Sequence, residues 1–204
     1  IISGDRDATL EIVEGGHIGD LPVSDLAFGD GLFVATSWES SSNGGRVKVS
    51  TNGREWNEIL VGEGDEASWY GMYGMVIHDG SQFAVAGYSG VSMSWDGLNW
   101  TQKQTPLRNF DFLSAATDGS KLILAGGFGS MIMGLYALQS HWPTGIASTD
   151  GGSTWEFFGI DEGYLSFGMA FGNGRFVSVG RTLSANESGV YFFINNTGAI
   201  YSTN

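Results

Sequence analysis

Apolar and polar residues alternate along this chain in short runs, and the runs come in pairs. Leu26-Ala27-Phe28 and Leu32-Phe33-Val34-Ala35 flank Gly29-Asp30-Gly31, and Val76-Ile77-His78 and Phe83-Ala84-Val85-Ala86 flank an Asp79-Gly80 turn. Ala115-Ala116-Thr117 and Leu122-Ile123-Leu124-Ala125 flank Asp118-Gly119, and Met169-Ala170-Phe171 and Phe176-Val177-Ser178-Val179 flank Asn173-Gly174. Two such runs about an Asp-Gly or Asn-Gly pair predict a β-hairpin, because these residues tolerate the positive φ that tight turns need. Small residues (Ala27, Ala115, Ala116, Gly168, Ala170) crowd the first strand of each pair, which suits a strand packed near a central axis. No segment sustains a 3.6-residue apolar period, so essentially no helix is expected.

A second element follows the hairpins. Ser148 to Trp155 reads Ser-x-Asp-Gly-Gly-Ser-Thr-Trp, and shorter copies run from Ser94 to Trp100 and from Ser50 to Trp56, with Asn52 for Asp. A worn copy at Ser3 keeps Asp5, and Ser202-Thr203-Asn204 begins a fifth, so the copies are spaced 47, 44, 54 and 54 residues apart. Hairpin plus turn makes a unit of four strands, A to D: A and B form the hairpin, and C and D flank the Ser-x-Asp turn. Four antiparallel strands repeated at this period are the signature of a β-propeller blade. The chain is therefore expected to be all-β, a single propeller domain or partial propeller over 1–204, with blade repeats at roughly 1–20, 21–62, 68–105, 111–160 and 165–204. Strand C would occur twice if the ends met, and the chain opens on Ile-Ile without a methionine. The first feature predicts a segment of a larger propeller of six or more blades, and the second an upstream piece removed or left out.

Within each Ser-x-Asp turn the carboxylate can accept backbone N–H groups, Gly takes the left-handed position, and Trp packs its ring between sheets. Asp5, Asn52, Asp96 and Asp150, with Trp56, Trp100 and Trp155, are accordingly read as structural rather than catalytic. These turns resemble the Asp-box, or bacterial neuraminidase repeat, of sialidase-like β-propellers, and the resemblance extends over nearly the whole chain. It implies a fold more than a function: proteins with such boxes include sialidases, xyloglucan-active glycoside hydrolases, photosystem II assembly factors and sortilin-type receptors. A sialidase itself is not expected, since the Arg-Ile-Pro type motif is missing and only Arg46, Arg108 and Arg181 lie near the candidate face.

Composition narrows the partners. The 33 glycines against 3 prolines fit many short strands and tight turns. With 22 acids and 9 bases the net charge is −13, which disfavours nucleic acid and anionic membranes. No apolar run reaches the roughly 18 residues of a membrane span. The chain has no cysteine, which excludes disulfides and thiolate metal sites. His17, His78 and His141 fall in separate repeats without ligand spacing, His78 reading as structural in its A–B turn. Neither a metal nor another cofactor is expected; Ca²⁺ held by loop carboxylates is possible without a motif to specify it. Asn99, Asn186 and Asn195 start Asn-x-Ser/Thr triplets, Asn99 inside a Ser-x-Asp turn.

Alternating strand direction puts the A–B and C–D turns at one end of every blade and the B–C and D–A loops at the other. The second set is longer and richer in aromatic and charged residues, as a binding face on a rigid scaffold would be. It includes Ser37 to Gly45, Glu63 to Tyr73, Gln104 to Asn109, Gly127 to Gly145, Asp161 to Tyr164 and Arg181 to Thr197. Trp38, Trp69, Tyr70, Arg108, His141, Trp142 and Tyr164 are the candidate binding residues, rings for stacking on sugars or peptides beside polar groups. Hydrolysis would need two carboxylates across the axis, for which Glu66 and Asp161 are the candidates. The leading expectation is a secreted or cell-surface, non-catalytic propeller that binds a glycan or protein. The alternatives are an Asp-box glycoside hydrolase and a structural subunit, a homo-oligomer or larger assembly of a surface filament or virion.

Overall fold

The computed structural model describes residues 23–37, 45–61, 73–87, 90–107, 110–128, 144–159, 164–185 and 191–201. Sheet 1 has the order β1 (Val23–Gly29), β2 (Leu32–Ser37), β3 (Arg46–Ser50), β4 (Asn57–Leu60). Sheet 2 is β5 (Tyr73–His78), β6 (Phe83–Gly87), β7 (Gly90–Ser94), β8 (Thr101–Lys103). Sheet 3 is β9 (Phe110–Thr117), β10 (Leu122–Phe128), β11 (Gly145–Ser148), β12 (Glu156–Phe158). Sheet 4 has three strands, β13 (Tyr164–Gly172), β14 (Arg175–Ala185) and β15 (Tyr191–Tyr201). Every pairing is antiparallel between chain neighbours, and the described residues contain no helix. The first strands line up from sheet to sheet, β1 against β5, β5 against β9 and β9 against β13.

Registers repeat from sheet to sheet. The serine that opens each Ser-x-Asp turn faces the first residue of strand B or its neighbour: Ser50 opposite Phe33, Ser94 opposite Phe83 and Ser148 opposite Leu122. Each first strand also carries a bulge near its start, where Ser24, Gly74, Leu113 and Phe167 are passed over by the pairing. A bulge adds twist and re-aims the residues beyond it. One expected loop is instead strand: Arg181 to Ala185 pairs with Tyr191 to Thr197, prolonging the β14–β15 hairpin. The β-forming run Tyr191-Phe192-Phe193-Ile194 favours that extension.

The A–B hairpins close in two ways. In sheets 1 and 4 a two-residue turn puts both central residues at positive φ, Asp30 (48°) with Gly31 (77°) and Asn173 (51°) with Gly174 (73°). In sheets 2 and 3 Asp stands one position earlier and works through its side chain. Asp79 Oδ1 accepts from the backbone N–H groups of Ser81 and Gln82 at 2.8 and 2.9 Å, and Asp118 Oδ1 from those of Ser120 and Lys121 at 2.8 and 2.7 Å.

The core lies between sheets. Val34, Val47 and Val49 of sheet 1 pack with Val76, Phe83 and Val85 of sheet 2. Ala84, Ala86, Val91 and Met93 of sheet 2 pack with Phe110, Phe112, Leu122, Leu124 and Ile146 of sheet 3. Each such valine, leucine or phenylalanine contributes roughly 1.5–3 kcal/mol by leaving water. Polar contacts fix the stacking: Asp25 Oδ2 accepts from Val76 N (2.9 Å), His78 Nε2 lies 3.0 Å from Asp30 Oδ2, and Ser114 Oγ lies 2.6 Å from Ser166 Oγ. The His78 ring lies where a side chain at Gly29 would project, so that turn has room only for glycine.

Candidate functional site

Antiparallel pairing places the turns after β1, β3, β5, β7, β9, β11 and β13 at one end of the sheets. Chemistry at that end is spent on the fold. Asn52 Oδ1 accepts from Arg54 N and Glu55 N at 2.8 and 2.9 Å, and Asp96 Oδ1 accepts from Leu98 N and Asn99 N at 2.9 and 2.7 Å. Asp150 Oδ1 accepts from Ser153 N and Thr154 N at 3.0 and 2.8 Å and from the Ser148 hydroxyl at 2.8 Å. Hydrogen bonds to an ionised carboxylate stabilise the charge. The backbone N–H and side-chain amide of Asn99 hold Asp96 well below the ordinary carboxylate range, and the Thr154 hydroxyl and N–H hold Asp150 at about 2. Both are fixed anions within their own turns, unsuited to donating a proton. Asn99 gives its amide to Asp96 Oδ2 at 2.7 Å.

The tryptophans close the same turns. Trp56 and Trp100 donate Nε1–H to the carbonyls of Gly53 (3.2 Å) and Gly97 (3.0 Å). The turn at Ser148 is one residue longer, with Gly151 and Gly152 both at positive φ, and the buried Trp155 Nε1 finds no hydrogen-bond partner. Gly152 lies against Met93 of sheet 2, where a Cβ would come within 2.2 Å of the sulfur.

The opposite end carries the loops. Trp38, Trp69, Tyr70, Arg108, His141 and Trp142, with Glu66, Asp161 and the turn residue Asp5, lie outside the described residues. Tyr164 opens β13 at this end, but it is 4 % exposed and donates its hydroxyl to the Ser178 carbonyl at 3.2 Å. That burial makes it part of the sheet 4 packing rather than an exposed stacking platform. Arg46 is paired with Glu58, which Lys48 shares, and the Arg181 guanidinium lies 5.9 Å from the Phe167 ring centroid.

One residue here escaped sequence reasoning. Asp111 is the second residue of β9, opposite Gly127, and is 6 % exposed. Burial pushes its carboxyl up to about 6. The available signal was an acid inside the apolar run Phe110-Asp111-Phe112-Leu113, whereas the other acids near this end were chosen for lying in loops. Among the described residues no group of three or more His, Cys, Asp or Glu could hold a metal ion.

No family model and no curated protein matches the sequence. Solved structures do match the fold. The GH74 enzyme of Niastella koreensis superposes with a TM-score of 0.54 at 16% identity, over 84% of this chain and 30% of that one. Virginiamycin B lyase from Staphylococcus aureus gives 0.55 at 13% identity, over 86% and 56%. YCF48 bound to D1 peptide gives 0.51 at 11% identity, over 85% and 52%. The fold is of the β-propeller type. This chain spans about half or less of each of these three proteins, and they differ in function, so the likeness is one of architecture.

Proposed function

We propose that this chain is a non-catalytic β-propeller module of a secreted or cell-surface protein, binding a glycan or protein partner at the loop end of its sheets. One observation carries the reading: the Asp and Asn oxygens of the three Ser-x-Asp turns are taken up by their own turns, which leaves the other end for recognition. A propeller relative bound to a peptide supports a protein partner as one of the two classes. We read the three turns as Asp-box repeats because Ser, Asp or Asn, Gly and Trp act in the same places in each. The four sheets are read as part of a larger ring, since the outward faces of sheets 1 and 4 expose Leu26, Phe28, Val177 and Val179.

Glycan and peptide arrays probed with the purified chain test this. Trp38→Ala, Trp69→Ala and Trp142→Ala should each weaken the captured ligand at least tenfold, while Asp150→Asn at the far end lowers thermal stability and leaves affinity unchanged. Equal loss of affinity in a folded Asp150→Asn variant would place the site at the wrong end. Asp111 favours a second reading, a glycoside hydrolase, because a carboxyl raised to about 6 at the loop end suits proton donation to a leaving group. Release of reducing sugar from a bound glycan, abolished by Asp111→Asn, would establish that reading instead.

A further inference from the structure

Each sheet has two faces, one toward the sheet before it and one toward the sheet after it, and the repeated registers align them. On the forward face of sheet 1 stand Ala27, Val34 and Thr36; the equivalent positions of sheet 4 are Ala170, Val177 and Val179. On the rear face of sheet 2 stand Val76 and Phe83; the equivalent positions of sheet 1 are Leu26 and Phe33. Where sheets 1 and 2 meet, these positions are dry: Val34 and Phe83 are 0 % exposed and Val76 is 5 %. Of their counterparts on the two outer sheets, Val177 is 40 % exposed and Val179 and Leu26 both 52 %, while Phe33 is half-buried beside Phe28 and Trp56. Phe28, on the same face as Leu26, is 58 % exposed. The described residues thus bear the two halves of an interface the chain already makes internally, and among them those halves stay exposed rather than covering each other.

We infer that a second copy of this chain covers both faces, sheet 4 of each copy packing on sheet 1 of the other. This rests on the larger-ring reading above and names what supplies the rest of the ring. Several observations favour that occupant. The two faces are unlike each other, so a self-complementary pairing would set Phe28 against Phe28 and Val177 against Val177, contacts that no internal junction uses. Head-to-tail pairing instead repeats the junction between sheets 1 and 2, valines and alanine of a forward face against valines and a phenylalanine of a rear face. A heterologous interface closes into a ring when its rotation permits. Two copies bring eight sheets, at the upper end of the usual range of four to eight blades.

The chain has no cysteine, so paired thiols report the contact without background. In a Leu26→Cys/Val177→Cys variant treated with a short bis-maleimide, we expect most of the chain to run as a covalent dimer. Leu26→Cys and Val177→Cys singly should give little dimer, because neither residue meets its own copy. A linked monomer of 21.7 kDa would mean that the chain closes on itself, overturning both this inference and the larger ring. Folded chain whose thiols react but never cross-link would overturn the second copy and leave the larger ring standing. Equal dimer from the single variants would overturn the head-to-tail arrangement. Val177→Asp/Val179→Asp, checked for native circular dichroism, should convert the dimer to monomer in light scattering.

Discussion

Carboxylates of one chemical type are driven in opposite directions by where the fold puts them. Asp96 and Asp150 are stabilised as anions by turn N–H and hydroxyl groups, whereas Asp111 is disfavoured as an anion by burial. Linkage gives each a sign. The turn aspartates bind fewer protons folded than unfolded, so their contribution is present above the ordinary carboxylate value of 3.8 and is lost as pH falls below it. Asp111 binds more protons folded between 3.8 and about 6, so its contribution is present below 3.8 and is lost as pH rises through 6. Allowing for screening at a strand end, the loss is about 2 kcal/mol. Thermal melts from pH 3 to 8 should show Asp111→Asn gaining on the parent by roughly 5 °C between pH 4 and 7.5. A difference that stays constant across that span would show that Asp111 holds its proton equally well in the folded and unfolded chain. That an acid stood among phenylalanines was visible in the sequence; that this strand end is buried was not, because alternation does not say how close the neighbouring sheet comes.

At the scale of single elements, each Asp-Gly or Asn-Gly pair marks a hairpin in all four sheets, since two apolar runs about such a pair have few other ways to fold. The manner of closure hangs on one position. Gly-Asp-Gly-Leu puts the Asp backbone at positive φ, while Asp-Gly-Ser-Gln puts the Asp side chain to work. The bulges were not legible, because one passed-over residue leaves the surrounding apolar runs intact. They nonetheless leave a mark: the residue opposite the strand just before the bulge is Gly87, Gly126 and Gly180 in sheets 2 to 4. A Cβ on Gly126 would lie 1.8 Å from the Asp111 carbonyl oxygen, and one on Gly180 would lie 2.0 Å from that of Leu165. Gly126→Ala should therefore cost about 1–3 kcal/mol through backbone crowding. Gly119 has open space around it but a φ of +87°, so Gly119→Ala should cost about 1–2 kcal/mol through strain at the turn. Urea titration separates the two with the help of β13: only the first should also disturb the Ser114–Ser166 contact between sheets 3 and 4, seen as faster amide exchange there.

Over the whole molecule, what could be read from sequence ends where the repeat ends. Strand registers recur, so strand membership carries from one sheet to the next; loops at the far end share no pattern, and most candidate binding residues fall in them. The exposed outer faces lie between these extremes. Alternation marks Leu26 and Phe28 as one face of β1 and Val177 and Val179 as one face of β14, but only their exposure shows that no described sheet covers them. Stability should be distributed accordingly, since amide protection follows how fully a strand is packed on both faces. In dilute solution exchange should be slowest in β6 and β10, which lie in the two sheets flanked on both sides, and faster in β2 and β14. Raising the concentration through the dimerisation range should slow β1, β2, β13 and β14 while β6 and β10 hardly change. Uniform slowing would indicate a general gain in stability, and unchanged β1 and β14 would mean that these faces stay in water. The loop end should be indifferent to concentration and respond to ligand instead. Exchange thus resolves assembly and recognition as two separate events at different places on the same scaffold.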